Sequence, residues 1–523
     1  MNRSSCFDYR YRRDLSRRAF MASGLALAAT RSVPLVGRVR QTPRFVAPPF
    51  SLGVASGDPS QDGVVLWTRL APVPLEGGGM PNEPVEVSWD VASDERMANV
   101  VQSGTVVAMP ALGHSVHVEL EGLQPHRWYW YRFRAGREVS RIGRTRTLPE
   151  PGASVSALKM AFVSCQHYET GYFTAYRQML QDDLDLVFHL GDYIYEYGGR
   201  DGRVRKHPGG EIELLRDYRD RYALYRLDPD LQAAHAQFPF VVTWDDHEVD
   251  NNYASEVSEE DGFPAELFLR RRAEAYQAYF EHMPLRRSAR PLGPRMELYR
   301  HLAYGNLASF FVLDTRQYRS DQPCGDRNGP VCADVNDPTA TLLGAEQERW
   351  LMEGLDRSRS QWNVLPQQVM LARVDRAPGV DERISMDQWS GYEVARRRLM
   401  EFLAVRQPAN PVVLTGDIHS NWVNDLKVDY REGTDVVATE FVGTSVSSGG
   451  DGADVQDTTA ALLAENPCVR FFNNQRGYVR CTITPETWTT DYRVLEFVSR
   501  PGSPVSTRAS FVVESGRPGA RPV

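Results

Sequence analysis

Three short apolar runs in this chain end in aspartate, and their alternation with helical stretches leaves few folds open. The runs are LDLVFHLGD (184–192), FVVTWDD (240–246) and PVVLTGD (411–417). LKMAFVSC (158–165), ASFFVLDT (308–315) and NVLPQQV (363–369) are built the same way. Helical stretches at 173–182, 213–225, 265–281, 344–358 and 392–404 separate them. Apolar strands alternating with helices predict a layered α/β fold. The later runs VVATEFVGTSV (436–446) and GYVRCTITPETWTTDYRVLE (477–496) suggest a second sheet. An open α/β sheet places its ligands at its strand ends, and here those ends carry acids.

A chain of 523 residues has room for two or three domains. Residues 46–149 read as β structure: VVLWTRL, VEVSWDVA, VVQSGTVVA, HSVHVEL and YWYRFRA mostly alternate and are separated by turn residues. That is a sandwich pattern, and LEGLQPHRWYWYRFR resembles the E–F corner of fibronectin type III domains. Residues 31–45 and 150–157 read as linkers, 158–500 as the α/β domain, and 501–523 as a last strand, ASFVVE, with a Pro/Gly/Arg tail. The net charge of −8 does not suggest a nucleic-acid binder, and the expected state is a monomer. No apolar run is long enough for a transmembrane helix.

The first 30 residues look like an export signal. Arg10, Arg12 and Arg13 precede Ser16-Arg17-Arg18-Ala19-Phe20, followed by a short apolar run, Met21 to Ala29. This order resembles a twin-arginine signal, with the twin-arginine machinery as partner and a periplasmic or extracellular destination. The segment carries six arginines and two aspartates, so its removal takes the net charge to −12. Cys6 leaves with it. Cys324 and Cys332 share one loop, and Cys468 and Cys481 flank a predicted turn, FFNNQRGY. Two local disulfides are expected in an oxidising compartment. Cys165 is then left without a partner.

The strand ends carry the chemistry. Asp192 is a hard oxygen ligand, and Tyr195, three residues on, offers a phenolate, an unusual ligand that favours ferric iron. Cys165 ends KMAFVSC in the same geometry, and a thiol beside a metal is deprotonated. Asp245, Asp246 and His247 follow the strand FVVTW; the acids could cap a helix, or supply a metal ligand and a general acid. Asn251 and Asn252 follow, and an amide oxygen suits calcium. Asp417 and His419 lie two apart after PVVLT and can approach one site. Tyr193 and Tyr197 read as packing residues.

These blocks resemble the metallophosphoesterase superfamily, whose skeleton is GDxxY, an Asn/Asp-His-Glu and a final GxxH. The departures from its usual pattern are Ser164-Cys165-Gln166 at the opening motif, Asp245-Asp246-His247-Glu248, and Gly416-Asp417-Ile418-His419. With FSLGVASGDP (50–59), VVLWTRLAP (64–72) and LDTRQYR (313–319), they resemble the PhoD-like alkaline phosphatases, relatives of the purple acid phosphatases. The resemblance implies a core of two β-sheets flanked by helices, with a fibronectin III-like sandwich before it. It also implies a ferric ion with one or two calcium ions, secretion, and hydrolysis of phosphate monoesters and diesters. On that basis Cys165, Asp192 and Tyr195 hold iron, Asp192 bridges, and Asp246, Asn252 and Asp417 face calcium. His419 matches an iron-side histidine and His247 the proton donor, with Asp246 beside it. Two alternatives stand: a phosphodiesterase or phospholipase D-like enzyme on the same site, and a non-catalytic extracellular binding protein. The C-terminal tail is a poor helix for a lid, and the loop at 320–338 is the candidate rim element.

Overall fold

The computed structural model describes residue 39 and residues 43–523, apart from 378, 380, 431, 432 and 434. The export segment 1–30, with Cys6 and most of the 31–45 linker, lies outside the described residues. Among the described residues no helix is long and apolar enough to cross a membrane.

Two mixed sheets pack face to face between layers of helices. In the middle of the first, Leu158–Val163, Leu186–His189 and Pro239–Val242 run parallel. Their register sets Val163 opposite His189 and His189 opposite Val242, so the three strands end level. On one side the sheet continues through Gly477–Ile483, Thr487–Leu495, Val505–Glu514 and Arg517–Pro522. In the second sheet Ala308–Val312, Trp362–Pro366, Pro411–Thr415 and Val436–Val442 are parallel neighbours. Phe162, Phe188, Phe310, Leu414, Phe441 and Trp488 fill the space between the sheets, each side chain worth roughly 1.5–3 kcal/mol of apolar burial.

The five helices read from the sequence all form, as Thr174–Met179, Leu215–Arg226, Ala265–His282, Gly344–Arg357 and Glu393–Arg406. Pro229–Gln237 is an additional helix, started by Asp228, whose side chain accepts from the backbone N–H of Asp230 and Leu231. The N-terminal β-sandwich is present. Its five-stranded sheet (Val85–Ala92, Val100–Ala108, Trp128–Ala135, Glu138–Val139, Gly143–Arg146) faces Val54–Gly57, Val64–Arg69 and Ser115–Leu120 across Val64, Leu66, Val87, Val116 and Phe133. Those last three strands also extend the first core sheet, because Val54–Gly57 pairs in parallel with Pro239–Val242. The sandwich is therefore continuous with the core.

One expectation is corrected. FFNNQRGY is not a hairpin turn. Val469–Gln475 pairs with Asn421–Lys427 in the second sheet, whereas Gly477–Ile483 pairs with Leu158–Val163 in the first. The chain changes sheets at Arg476, which leaves Cys468 and Cys481 in separate cores, buried and unpaired. Cys324 and Cys332 do form a disulfide. The Pro/Gly/Arg tail, read as a poor helix, forms a strand: Arg517–Pro522 pairs with Val505–Glu514.

Candidate metal centre

All the predicted site residues gather at the C-terminal ends of the parallel strands, in loops that leave both sheets together. Five of them, Cys165, Asp192, Asn252, Asp417 and His419, hold the left-handed backbone conformation, with φ between 50 and 64°. Non-glycine residues seldom adopt it, and each costs on the order of 1 kcal/mol. The loops are tied to offset this. Cys165 and Gln166 donate backbone N–H to the carbonyls of Gly191 and Asp192 at 3.1 Å each. Buried Glu248 accepts from the backbone N–H of Asp192 (3.0 Å), Tyr193 (2.7 Å) and Asp245 (2.9 Å), locking two ligand loops together. Gly191 sits at φ 111°, and a Cβ there would meet Asp245 at 2.5 Å.

Ligand atoms of Cys165, Asp192 and His419 lie within 4.8 Å of one another. The same holds for Asp192, Asp246 and His247, and for Asp245, Asp246 and Asp417. Asp192 is shared by the first two groups and Asp246 by the last two. The Tyr195 hydroxyl donates to Asp192 Oδ2 at 2.8 Å and lies 3.2 Å from His419 Nε2. Ser448 Oγ is 2.7 Å from both the Tyr195 hydroxyl and the Cys165 carbonyl oxygen. Asn252 joins the other side, donating its backbone N–H to Asp246 Oδ2 at 2.7 Å.

This donor set fits hard and borderline cations. Asp192 Oδ1, Asp245 Oδ2 and Asp246 Oδ1 are buried without a hydrogen-bond partner, an arrangement that costs about 1–3 kcal/mol per atom unless something else satisfies them. Burial pushes the Cys165 thiol, the Asp192 carboxyl and the Tyr195 phenol well above their ordinary pKa values, and the Asp192 charge adds to the effect at the other two. A bound cation reverses that, because it favours each anion. Burial, helped by Arg476, pushes His419 down to about 3, so its imidazole is neutral and able to ligate.

His247 stands beside these carboxylates. Its Nδ1 is 2.7 Å from buried Glu196 Oε2, and its ring packs 4.1 Å from Tyr195 and 5.1 Å from Tyr197, centroid to centroid. Burial opposes its charge, but Glu196, Asp246 and Asp192 outweigh that and raise its pKa well above the ordinary value. Tyr197, expected only to pack, is half-buried, as are Asn252, Asp417 and His419.

Several residues escaped the sequence reading. Fully buried Arg316 donates to both Asp387 oxygens at 2.7 and 2.9 Å and to Asp245, and lies 3.6 Å from Asp246 and 3.8 Å from Asp417. Gln388 donates to Asp417. Arg316 lies in the block LDTRQYR, so its signal was present without a role. Asp387, Gln388 and Ser448 carry no strand-end signal. Asp245 is no helix cap, because a turn follows it, and it pairs with Arg316 instead.

The fold and this site define a metal-dependent hydrolase of phosphoric esters. Residues 160–492 match the PhoD-like phosphatase family and residues 37–149 match its N-terminal domain. The chain belongs to the PhoD-like phosphatase family. It is 53% identical over 519 residues to alkaline phosphatase D of Bacillus subtilis (strain 168), covering 98% of this chain and 89% of that protein. A solved structure of PhoD superposes with a TM-score of 0.90 at 54% identity, covering 92% of this chain and 93% of that one. The purple acid phosphatase PPD1 from yellow lupin seeds shares the fold at a TM-score of 0.54 and 14% identity, covering 88% and 74%.

Proposed function

We propose that this protein is an exported phosphatase and phosphodiesterase that hydrolyses phosphate monoesters and diesters at an Fe(III)/Ca²⁺ site. The observation that carries the reading is the shared position of Asp192 between a Cys165–Tyr195–His419 side and an Asp246–Asn252–Asp417 side. Thiolate and phenolate suit ferric iron, and carboxylate and amide oxygens suit calcium. When bound, the cations supply Lewis acidity and an acidified water. The chain supplies the rest. His247, with Nδ1 turned to Glu196, keeps Nε2 free to protonate the leaving oxygen. Glu248 and Ser448 hold the ligand loops so that little reorganisation is needed at reaction. Residues 46–149 serve as the fibronectin III-like N-terminal domain, 158–500 as the catalytic domain, and 1–30 as the twin-arginine signal for a periplasmic or extracellular monomer.

Elemental analysis with rate measurements tests this. Purified protein should contain iron and calcium, show a visible charge-transfer band, and cleave both mono- and diester chromogenic substrates. His247→Ala should slow esters with poor leaving groups most. Zinc alone, no band, and undiminished rates in the variant would sink the assignment.

A further inference from the structure

The Asn252 side chain can serve a hard cation only through its carbonyl oxygen, and the structure shows what turns that oxygen away from its other partner. Its Nδ2 donates to Asp326 Oδ2 at 2.7 Å. A carboxylate only accepts, so the end of the amide facing Asp326 must be the amino end, and the oxygen is left for the other side. Gln322 fixes the backbone of the same residue, donating to the Asn252 carbonyl at 2.6 Å and to Asp387 Oδ1 at 2.9 Å. Both grips come from the rim loop at 320–338. Asp326 itself holds φ 52°, two residues after Cys324, in the short loop that the Cys324–Cys332 disulfide closes.

We infer that Asp326 is a positioning residue for the calcium-side ligand Asn252, and that the Cys324–Cys332 disulfide holds it there, so that full calcium affinity requires the oxidised loop. The inference rests on the calcium assignment proposed above. Without Asp326 the amide is free to rotate and present its amino group to the cation. Without the disulfide the loop samples more conformations, and the clasp on Asn252 is engaged for less of the time. Affinity then falls by the fraction of time the clasp is engaged.

Calorimetric titration of chelator-treated full-length protein with calcium tests it, with melting temperature measured with and without calcium. Asp326→Ala should bind calcium about tenfold or more weakly, which is roughly 1.4 kcal/mol, while its calcium-free melting temperature stays near wild type. Asp326→Asn keeps an acceptor for Asn252 and should bind within about threefold of wild type. A paired Cys324→Ser, Cys332→Ser variant should bind several-fold more weakly, and Arg327→Ala, an exposed loop control, should bind normally. Wild-type affinity in Asp326→Ala would overturn the positioning role. Asp326→Asn as weak as Asp326→Ala would overturn it too, since the charge would then be what matters. Wild-type affinity in the paired cysteine variant would overturn the part assigned to the disulfide. Wild-type protein that takes up no calcium would overturn the calcium reading, and this inference with it.

Discussion

At the scale of single residues, the site is a problem of crowded negative charge. Asp192, Asp245, Asp246 and Asp387 share one buried region with half-buried Asp417 at its edge, and Arg316 is a cation the chain itself places among them. Arg316 overcomes its burial and holds Asp387 well below the ordinary carboxylate range. Breaking a buried network by removing one partner costs about 3–5 kcal/mol. Arg316→Met should lose stability on that scale and most activity. Arg316→Lys keeps the charge but not the planar fork, and should fall between the two. Urea unfolding and kcat/KM measured on both variants check this; a stable, active Arg316→Met would remove the role. Cys165, Asp192, Asp246 and Asp417 were legible because each ends an apolar run. Arg316, Asp387, Gln388 and Ser448 were not, because their partners are far away in sequence and local pattern carries no trace of the pairing. The Cys468–Cys481 pairing failed for the same reason in reverse: proximity in sequence hid two different sheets.

At the scale of elements, a strand end becomes a site only if its loop adopts one strained shape. Gly191 shows how tightly this is set. A Cβ added there would fall 2.5 Å from Asp245, so strand Leu186–His189 can deliver Asp192 only with the neighbouring loop in close contact. Gly191→Ala should cost more than about 1 kcal/mol, through both the φ of 111° and the clash. It should also lower kcat/KM by moving Asp192 relative to Asp245 and Asp246. Urea midpoint and kinetics together test this, and wild-type values for both would show that the approach is not tight. The elements themselves were readable where a strong apolar period ran for several turns. Pro229–Gln237 was missed because its apolar stripe is weak, although Asp228 followed by Pro229 is a start signal for a helix. The merging of the sandwich with the core sheet was not legible, because edge pairing between Val54–Gly57 and Pro239–Val242 depends on tertiary placement.

At the scale of the whole molecule, the same burial that builds the site also sets its tolerance of acid. His117 joins the sandwich to the core: its ring stacks on Phe280 at 4.4 Å, and Nε2 lies 2.9 Å from the Phe280 carbonyl and 3.0 Å from that of Met283. Two acceptors around one nitrogen require that it carry the proton, so the neutral ring already satisfies this contact. Burial pushes His117 down to about 4, with Arg287 adding to the effect. His189 is pushed down to about 3 by burial, and His235 and His282 well below the ordinary range. In the unfolded chain these rings titrate near 6.5. Between about pH 6.5 and 4 the unfolded state binds a proton at His117 that the folded state refuses. Stability present above pH 6.5 is therefore lost as pH falls, and the loss levels off below about 4. For His117 alone this amounts to the order of 3 kcal/mol. His117→Gln can still donate to the two carbonyls but cannot titrate. Its urea midpoint should lie below wild type at pH 7.5, and the gap should close or reverse by pH 5. Parallel pH dependences in the two proteins would mean that His117 does not carry the acid sensitivity.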